Sequence, residues 1–212
     1  MRLRSGQFTK WAMVVGIVLV GGLVLVQVYA GLRKLQQSRE AGPVSALEQL
    51  RRQVPDFQAV DQDGRVVTPE SLRGKVWVAG FVFTRCLGPC PLITRRMAEI
   101  QELVRDLPEV RLVSFSVDPA HDTPEVLKAY AQTHGALPGK WLFLTGEPEA
   151  QLRLVREGFL TAVQPVEGSD QVIHGTMVAV VDAAGEIRGF YDGLSADTPE
   201  KVAARVRALH GR

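Results

Sequence analysis

Val76 to Phe83 (VWVAGFVF) is an almost unbroken apolar run that leads directly into Cys86-Leu87-Gly88-Pro89-Cys90-Pro91. A run of this length, rich in Val and Phe and apolar on both faces, predicts a central strand covered on both sides. Beyond the prolines, Ile93, Met97, Ile100, Leu103 and Val104 recur at helical spacing, which predicts a helix to about Leu107. A strand feeding a helix this way puts both sulfurs at the carboxyl end of the strand and the amino end of the helix. Ligand sites of open α/β sheets collect at that edge. Pro89 and Pro91 suit the first helical positions, where a missing N–H is no loss.

The surrounding chain alternates strands and helices. Phe57 to Val60 and Arg65 to Thr68 flank the turn sequence Asp61-Gln62-Asp63-Gly64, and Thr68-Pro69-Glu70 starts a short helix. Val110 to Val117 reads as a strand, Thr123-Pro124 opens a helix running to Gly135, and Trp141 to Thr145 is a strand followed by a helix from Pro148 to Gly158. Met177 to Val181 and Ile187 to Tyr191 form a hairpin, and Thr198-Pro199-Glu200 starts a last helix. The order βαβ then αββα predicts an α/β fold of thioredoxin-like layout, a mixed β-sheet flanked by helices, over residues 56–212.

The amino end is of another kind. From Trp11 to Leu32 there are 22 uncharged residues, flanked by Arg2, Arg4 and Lys10 before and by Arg33 and Lys34 after. As a helix this spans about 33 Å, enough for a hydrocarbon core of roughly 30 Å. Residues 1–10 are then a short cytoplasmic amino terminus, 11–32 a single transmembrane helix and 33–55 a polar tether broken at Gly42-Pro43. The competing reading is a signal peptide cleaved after Ala30, for which the apolar run is long. Either way the folded part is expected on the extracytoplasmic, periplasmic side of a cell inner membrane.

Charge follows the same division. The net charge is +2, but residues 1–40 hold six of the 25 Lys/Arg and one of the 23 acids, leaving 19 basic against 22 acidic residues in the body. A domain of about −3 is a poor binder of phosphate backbones, so nucleic acid is not an expected partner.

Cys86 and Cys90 are the chain's two cysteines, which excludes a four-cysteine zinc module and a multi-bridge framework. A staple closing so short a loop contributes about 2 kcal/mol, and a domain of this size seldom needs one. A helix amino terminus stabilises thiolate, the form required for metal ligation and for disulfide exchange. Residues four apart on a helix share a face, so the two sulfurs can converge on one ion. Of the four histidines, His134 and His210 stand at helix ends and His121 in a loop, positions that need no functional explanation. His174 lies in the Gly168 to Gly175 loop before the strand at Met177, where this layout returns a loop over the cysteines.

The segments FVFTRCLGPCP (81–91), SFSVDPAHDTPEVLKAY (114–130), WLFLTG (141–146) and IHGTMVAVVDAAGEIRGFYDG (173–193) together resemble the Sco/SenC family of copper proteins. The resemblance covers roughly residues 55 to 209. It implies a copper site made of Cys86, Cys90 and His174. Two thiolates favour Cu(I), and an added imidazole suits a site that also holds Cu(II); zinc is the inorganic alternative. The family usually carries a polar or acidic residue between the cysteines, whereas this chain has Leu87-Gly88-Pro89, a departure that bears on redox potential or partner choice. Asp118 and Asp122 match acidic positions of the family, and Asp118 is a candidate to sit near the copper loop. Asp122 is read as a helix cap, because Asp-Thr-Pro-Glu occurs at 122–125 and again at 197–200.

The resemblance implies a membrane-anchored copper metallochaperone, rather than an enzyme, that helps assemble the binuclear copper centre of cytochrome c oxidase or of another cuproprotein. The alternative is a tethered thiol-disulfide oxidoreductase using Cys86 and Cys90 as its redox pair. The Cys-x-x-x-Cys spacing disfavours ordinary thioredoxin chemistry, whose motif has two intervening residues. A peroxidase reading of Thr84-Arg85-Cys86 is weaker, because Thr84 lies one position too close.

Overall fold

The computed structural model describes residues 21–22, 25–31 and 51–211. It divides into two compact units, Met1–Ser45 and Ala46–Arg212. In the first, residues 21–22 and 25–31 are helical, while most of the expected anchor and tether lies outside the described residues. Among the described residues no helix is long and apolar enough to cross a membrane.

The second unit is a mixed sheet with helices on both faces. Its strands are β1 (Arg52–Gln53), β2 (Ala59–Asp61), β3 (Val66–Val67), β4 (Trp77–Val82), β5 (Arg111–Ser116), β6 (Trp141–Thr145), β9 (Met177–Val181) and β10 (Glu186–Asp192), in the spatial order β1-β10-β9-β4-β5-β6-β2-β3. A separate two-stranded sheet pairs β7 (Val163–Pro165) with β8 (Val172–His174). The helices are α1 (Pro69–Leu72), α2 (Cys90–Leu103), α3 (Pro124–Thr133), α4 (Pro148–Arg153) and α5 (Thr198–His210). β4, β5 and β6 run parallel through the crossovers α2 and α3, and β9 closes antiparallel on the other side of β4.

The pleat of β4 explains the two apolar layers, since alternate side chains must face opposite ways. Trp77, Ala79 and Phe81 enter one layer with Phe115 of β5 and Phe159. Val78 and Val82 enter the other, beneath Ile93, Met97 and Ile100 of α2, Leu127 of α3 and Val202 and Val206 of α5. All six residues of β4 are buried, as its sequence predicts. Gly80 lets α2 settle closely, because a Cβ there would stand 3.3 Å from the Met97 Cε.

Three local differences from the sequence reading matter. Arg52 and Gln53, within the stretch assigned to the tether, pair with Ile187 and Glu186 of β10, so the sheet begins before residue 56. The helix expected from Pro148 to Gly158 is α-helical only to Arg153 and widens into a π-turn over Leu154–Gly158, where the Phe159 N–H donates to the Leu154 carbonyl. The Gly168 to Gly175 segment is not simply a loop: residues 172–174 are a strand, with Val163 opposite His174 and Pro165 opposite Val172. Strands of three residues, one containing proline, are too short to show a period of two.

Candidate metal-binding site

The end of β4 turns sharply. The Cys86 N–H donates to the Phe83 carbonyl at 3.2 Å, and the turn is held from beneath by Asp122. The Asp122 carboxylate, fully buried, accepts from the Thr84 hydroxyl at 2.6 Å, the Thr84 N–H at 3.3 Å and the Ser116 hydroxyl at 2.6 Å. The cap reading of Asp122 is therefore corrected. Thr123 is the residue that caps α3, its side chain accepting from the Val126 N–H, while Asp122 points inward between the ends of β4 and β5. The matching Asp197 makes no side-chain cap bond at α5 either.

Pro89 precedes α2 and Cys90 is its first residue. Cys86 consequently lies in the turn before the helix, and the two cysteines do not share a helical face. Both are free thiols; Cys90 is fully buried and Cys86 half-buried. The Cys86 sulfur accepts from the Gly88 N–H at 3.4 Å.

His174, the last residue of β8, reaches the cysteine helix across 84 positions of sequence. Its Nε2 lies 2.9 Å from the Cys90 sulfur, and its Nδ1 lies 2.8 Å from the Gly175 carbonyl. A carbonyl oxygen can only accept, so Nδ1 carries the ring proton and the Nε2 lone pair faces the sulfur. The edge of Phe83 packs on the imidazole at a centroid distance of 5.9 Å. Burial lowers the His174 pKa, opposed by its bond to Gly175, and keeps the ring neutral. Burial also pushes the Cys90 thiol well above its ordinary value, with the neighbouring Cys86 adding to the rise. Cys90 is accordingly a thiol that donates to a neutral imidazole.

This donor set suits a soft or borderline ion: a metal displaces the Cys90 proton and finds an unprotonated nitrogen already aimed at the same point. The structure brings Cys90 and His174 into contact and sets Cys86, in the turn before the helix, near enough to Cys90 to raise its pKa. Among the described residues no three His, Cys, Asp or Glu side chains converge closely enough to hold an ion as they stand. Asp118 does not touch a sulfur; its carboxylate pairs at 2.6 Å with Arg85, whose guanidinium also meets Asp170 at 3.1 Å. His134 ends α3 with its ring tilted against Tyr130 at a centroid distance of 4.3 Å, His210 ends α5, and His121 lies in an exposed turn. None of these three histidines joins the cysteines.

Sequence reasoning misses two contributors. Asp122 was masked by its resemblance to a cap. Gln171 spans from the β7–β8 hairpin to the cysteine turn, donating to the Arg85 carbonyl at 3.2 Å and accepting from the Leu87 N–H at 3.4 Å.

The SCO1/SenC family model matches residues 45–211. The SCO1 protein homolog of Bacillus subtilis is 34% identical over 161 residues, covering 75% of this chain and 83% of the homolog. A solved structure of BsSco, described as a member of the Sco family of cytochrome c oxidase assembly proteins with a disulfide switch, superposes with a TM-score of 0.69 at 32% identity, covering 77% of this chain and 96% of that one. The structure of Bradyrhizobium japonicum ScoI with copper bound gives a TM-score of 0.64 at 25% identity, covering 74% and 99%. The fold is thus the mixed α/β, thioredoxin-like architecture of solved Sco proteins.

Proposed function

Because the chain belongs to the SCO1/SenC family, we propose that it is a membrane-anchored copper metallochaperone that carries copper on Cys86, Cys90 and His174 and helps assemble the binuclear copper centre of cytochrome c oxidase. Residues 11–32 are its membrane helix, and the folded unit works on the periplasmic side. The observation that carries this reading is the 2.9 Å approach of the His174 Nε2 to the Cys90 sulfur. An apolar core has no use for an imidazole lone pair directed at a thiol, whereas a soft-metal site requires one. Copper is cargo here. Half-buried Cys86 is the donor an incoming ion meets first, and Cys90 and His174 lie behind it. Cu(I) is served by the two thiolates, and the imidazole extends the set to Cu(II).

The oxidoreductase alternative needs a nucleophilic thiolate. Burial holds Cys90 as a thiol, so the attacking sulfur of such an enzyme would be the more exposed Cys86 with Cys90 as its resolving partner, whereas in metal loading the ion itself drives off the Cys90 proton. One experiment separates the two. The reduced full chain in detergent is titrated anaerobically with Cu(I) and Cu(II) beside His174→Ala, Cys86→Ser and Cys90→Ser. One-to-one binding is expected, with copper lost from both serine variants and Cu(II) weakened more than Cu(I) by His174→Ala. A protein that binds no copper yet efficiently reduces a model disulfide overturns the reading.

A further inference from the structure

We infer that Gln171 is a positioning residue, a latch that holds the cysteine turn in register with His174. This rests on the copper reading of Cys86, Cys90 and His174 given above. His174 rides on β8, and the β7–β8 sheet shares no ladder with the eight-stranded sheet among the described residues. What joins this hairpin to the cysteine turn is a small set of side chains. Gln171 uses both ends of its amide: Nε2 donates to the Arg85 carbonyl at 3.2 Å and Oε1 accepts from the Leu87 N–H at 3.4 Å. These are the backbone groups on either side of Cys86. Next to it, Asp170 pairs with the Arg85 guanidinium at 3.1 Å, an exposed contact that adds little by itself. At the other end of the hairpin, Arg156 donates twice to the Val163 carbonyl, which anchors the base and leaves the tip to Gln171.

Packing holds the hairpin at its base, where Val163 is buried in the core and Val172 packs against it, and does less at the tip. An open cavity of about 270 Å³ separates it from the Asp118–Ala120 turn, lined by Arg85, Val117, Leu152, Val163 and Val172 among others. Apolar groups that face an open cavity lose the contacts that would otherwise hold the hairpin down. His174 itself is held at the base, opposite Val163 and beside the Gly175 N–H bond to the Ala162 carbonyl, so what one amide side chain spanning 84 to 86 positions of sequence sets is where the cysteine turn stands relative to it. Cu(I) is satisfied by two thiolates, whereas Cu(II) depends on the imidazole. Gln171 therefore governs the preference between oxidation states without touching the ion. When the latch is made the cysteine turn is held beside the hairpin that carries His174, and when it is released copper rests on the two sulfurs, from which it passes more readily.

The test compares the reduced full chain with Gln171→Ala and with Gln164→Ala, an exposed glutamine on the same hairpin that contacts no site residue. Amide exchange in the copper-free protein reads the latch directly, because the Leu87 N–H loses its acceptor in Gln171→Ala alone. Faster exchange at Leu87 and across β8 is expected. With copper, Gln171→Ala is expected to weaken Cu(II) by about tenfold and to alter its electron paramagnetic resonance spectrum, with Cu(I) affinity kept within about twofold, the pattern of an orienting residue rather than a ligand. Unchanged exchange at Leu87, or an unchanged Cu(II) spectrum and affinity, overturns the inference. Equal losses of Cu(I) and Cu(II) with a lowered thermal midpoint also overturn it, since they mark a general structural role. If the unmodified chain takes up no copper, the proposed function fails, and exchange at Leu87 still decides whether Gln171 holds the turn.

Discussion

Replacing Asp122 tests the claim that a buried carboxylate, and not a helix cap, shapes the cysteine turn. In Asp122→Ala three donors lose their acceptor at once: the Thr84 hydroxyl, the Thr84 N–H and the Ser116 hydroxyl. The site is fully buried, so water replaces the lost acceptor poorly. With about 1–3 kcal/mol for each buried group left unsatisfied, and some relaxation of the two rotatable hydroxyls, the expected loss is about 3 kcal/mol out of a typical 5–15. A lost surface cap costs about 1 kcal/mol. Asp122→Asn keeps an acceptor for Thr84 and strands mainly the Ser116 hydroxyl, so it should cost about 1 kcal/mol. The pH dependence adds a second signature. Burial, the largest influence, raises the Asp122 carboxyl above its usual range, against the opposing pull of Ser116 and Thr84. A carboxyl that holds its proton more tightly when folded contributes stability that is complete below the unfolded value of about 3.9 and is lost as pH climbs through the higher folded value. Urea unfolding of the reduced, copper-free chain and of both variants, repeated from acid to neutral pH, measures this. The stability of the unmodified chain minus that of Asp122→Asn should fall as pH rises. A loss below about 1 kcal/mol in Asp122→Ala, or a difference that rises with pH, refutes the reasoning.

Two predictions concern the scaffold under the site. Gly193→Ala places a methyl group against the Thr176 carbonyl oxygen, well inside contact distance, with Ile93 and Val178 also crowded; a loss of about 1–3 kcal/mol is expected in urea unfolding, and a neutral result would contradict the close approach. Met97→Ala removes a fully buried side chain of α2 that packs over Gly80 of β4, and should lower stability by about 2–5 kcal/mol in the same assay, with a smaller loss if α2 closes onto the sheet.

The parts of the fold that can be read from sequence are those whose signal is local. β4 announces itself because both faces are buried and every residue must be apolar. α2, α3, α4 and α5 each carry proline in their first turn, and β9 and β10 flank an Asp-x-x-Gly turn in which Gly185 adopts φ 82°. Elements of two or three residues have no such signal. β1 exists because Gly185 and β10 offer it partners: the Val54 N–H donates to the Gly185 carbonyl, and Arg52 faces Ile187. The π-turn over Leu154–Gly158 is likewise a response to packing, with Gly158 pressed so closely on Pro55 that a Cβ would stand 3.0 Å from the ring.

The site divides along the same line. Cys86 and Cys90 are found by spacing, and His174 by its place ahead of β9, but the property that makes His174 useful is the direction of its Nε2 lone pair. That direction follows from the Gly175 carbonyl holding Nδ1–H, a contact no pattern of residue types encodes. Asp122 is the sharper case. Its sequence context, repeated at 197–200, argues for a cap, and a cap would have been a sufficient local explanation. The competing demand is tertiary. The parallel register of β4 and β5 sets Val82 opposite Ser116, which brings half-buried Thr84 and buried Ser116 to the same end of the sheet. Two hydroxyls and an amide shielded by the sheet end need an acceptor more than the end of α3 needs a second cap, since Thr123 already supplies one. The carboxylate therefore turns inward, and the residue that looks most like punctuation in the sequence becomes the one that ties the strand end to the cysteine turn.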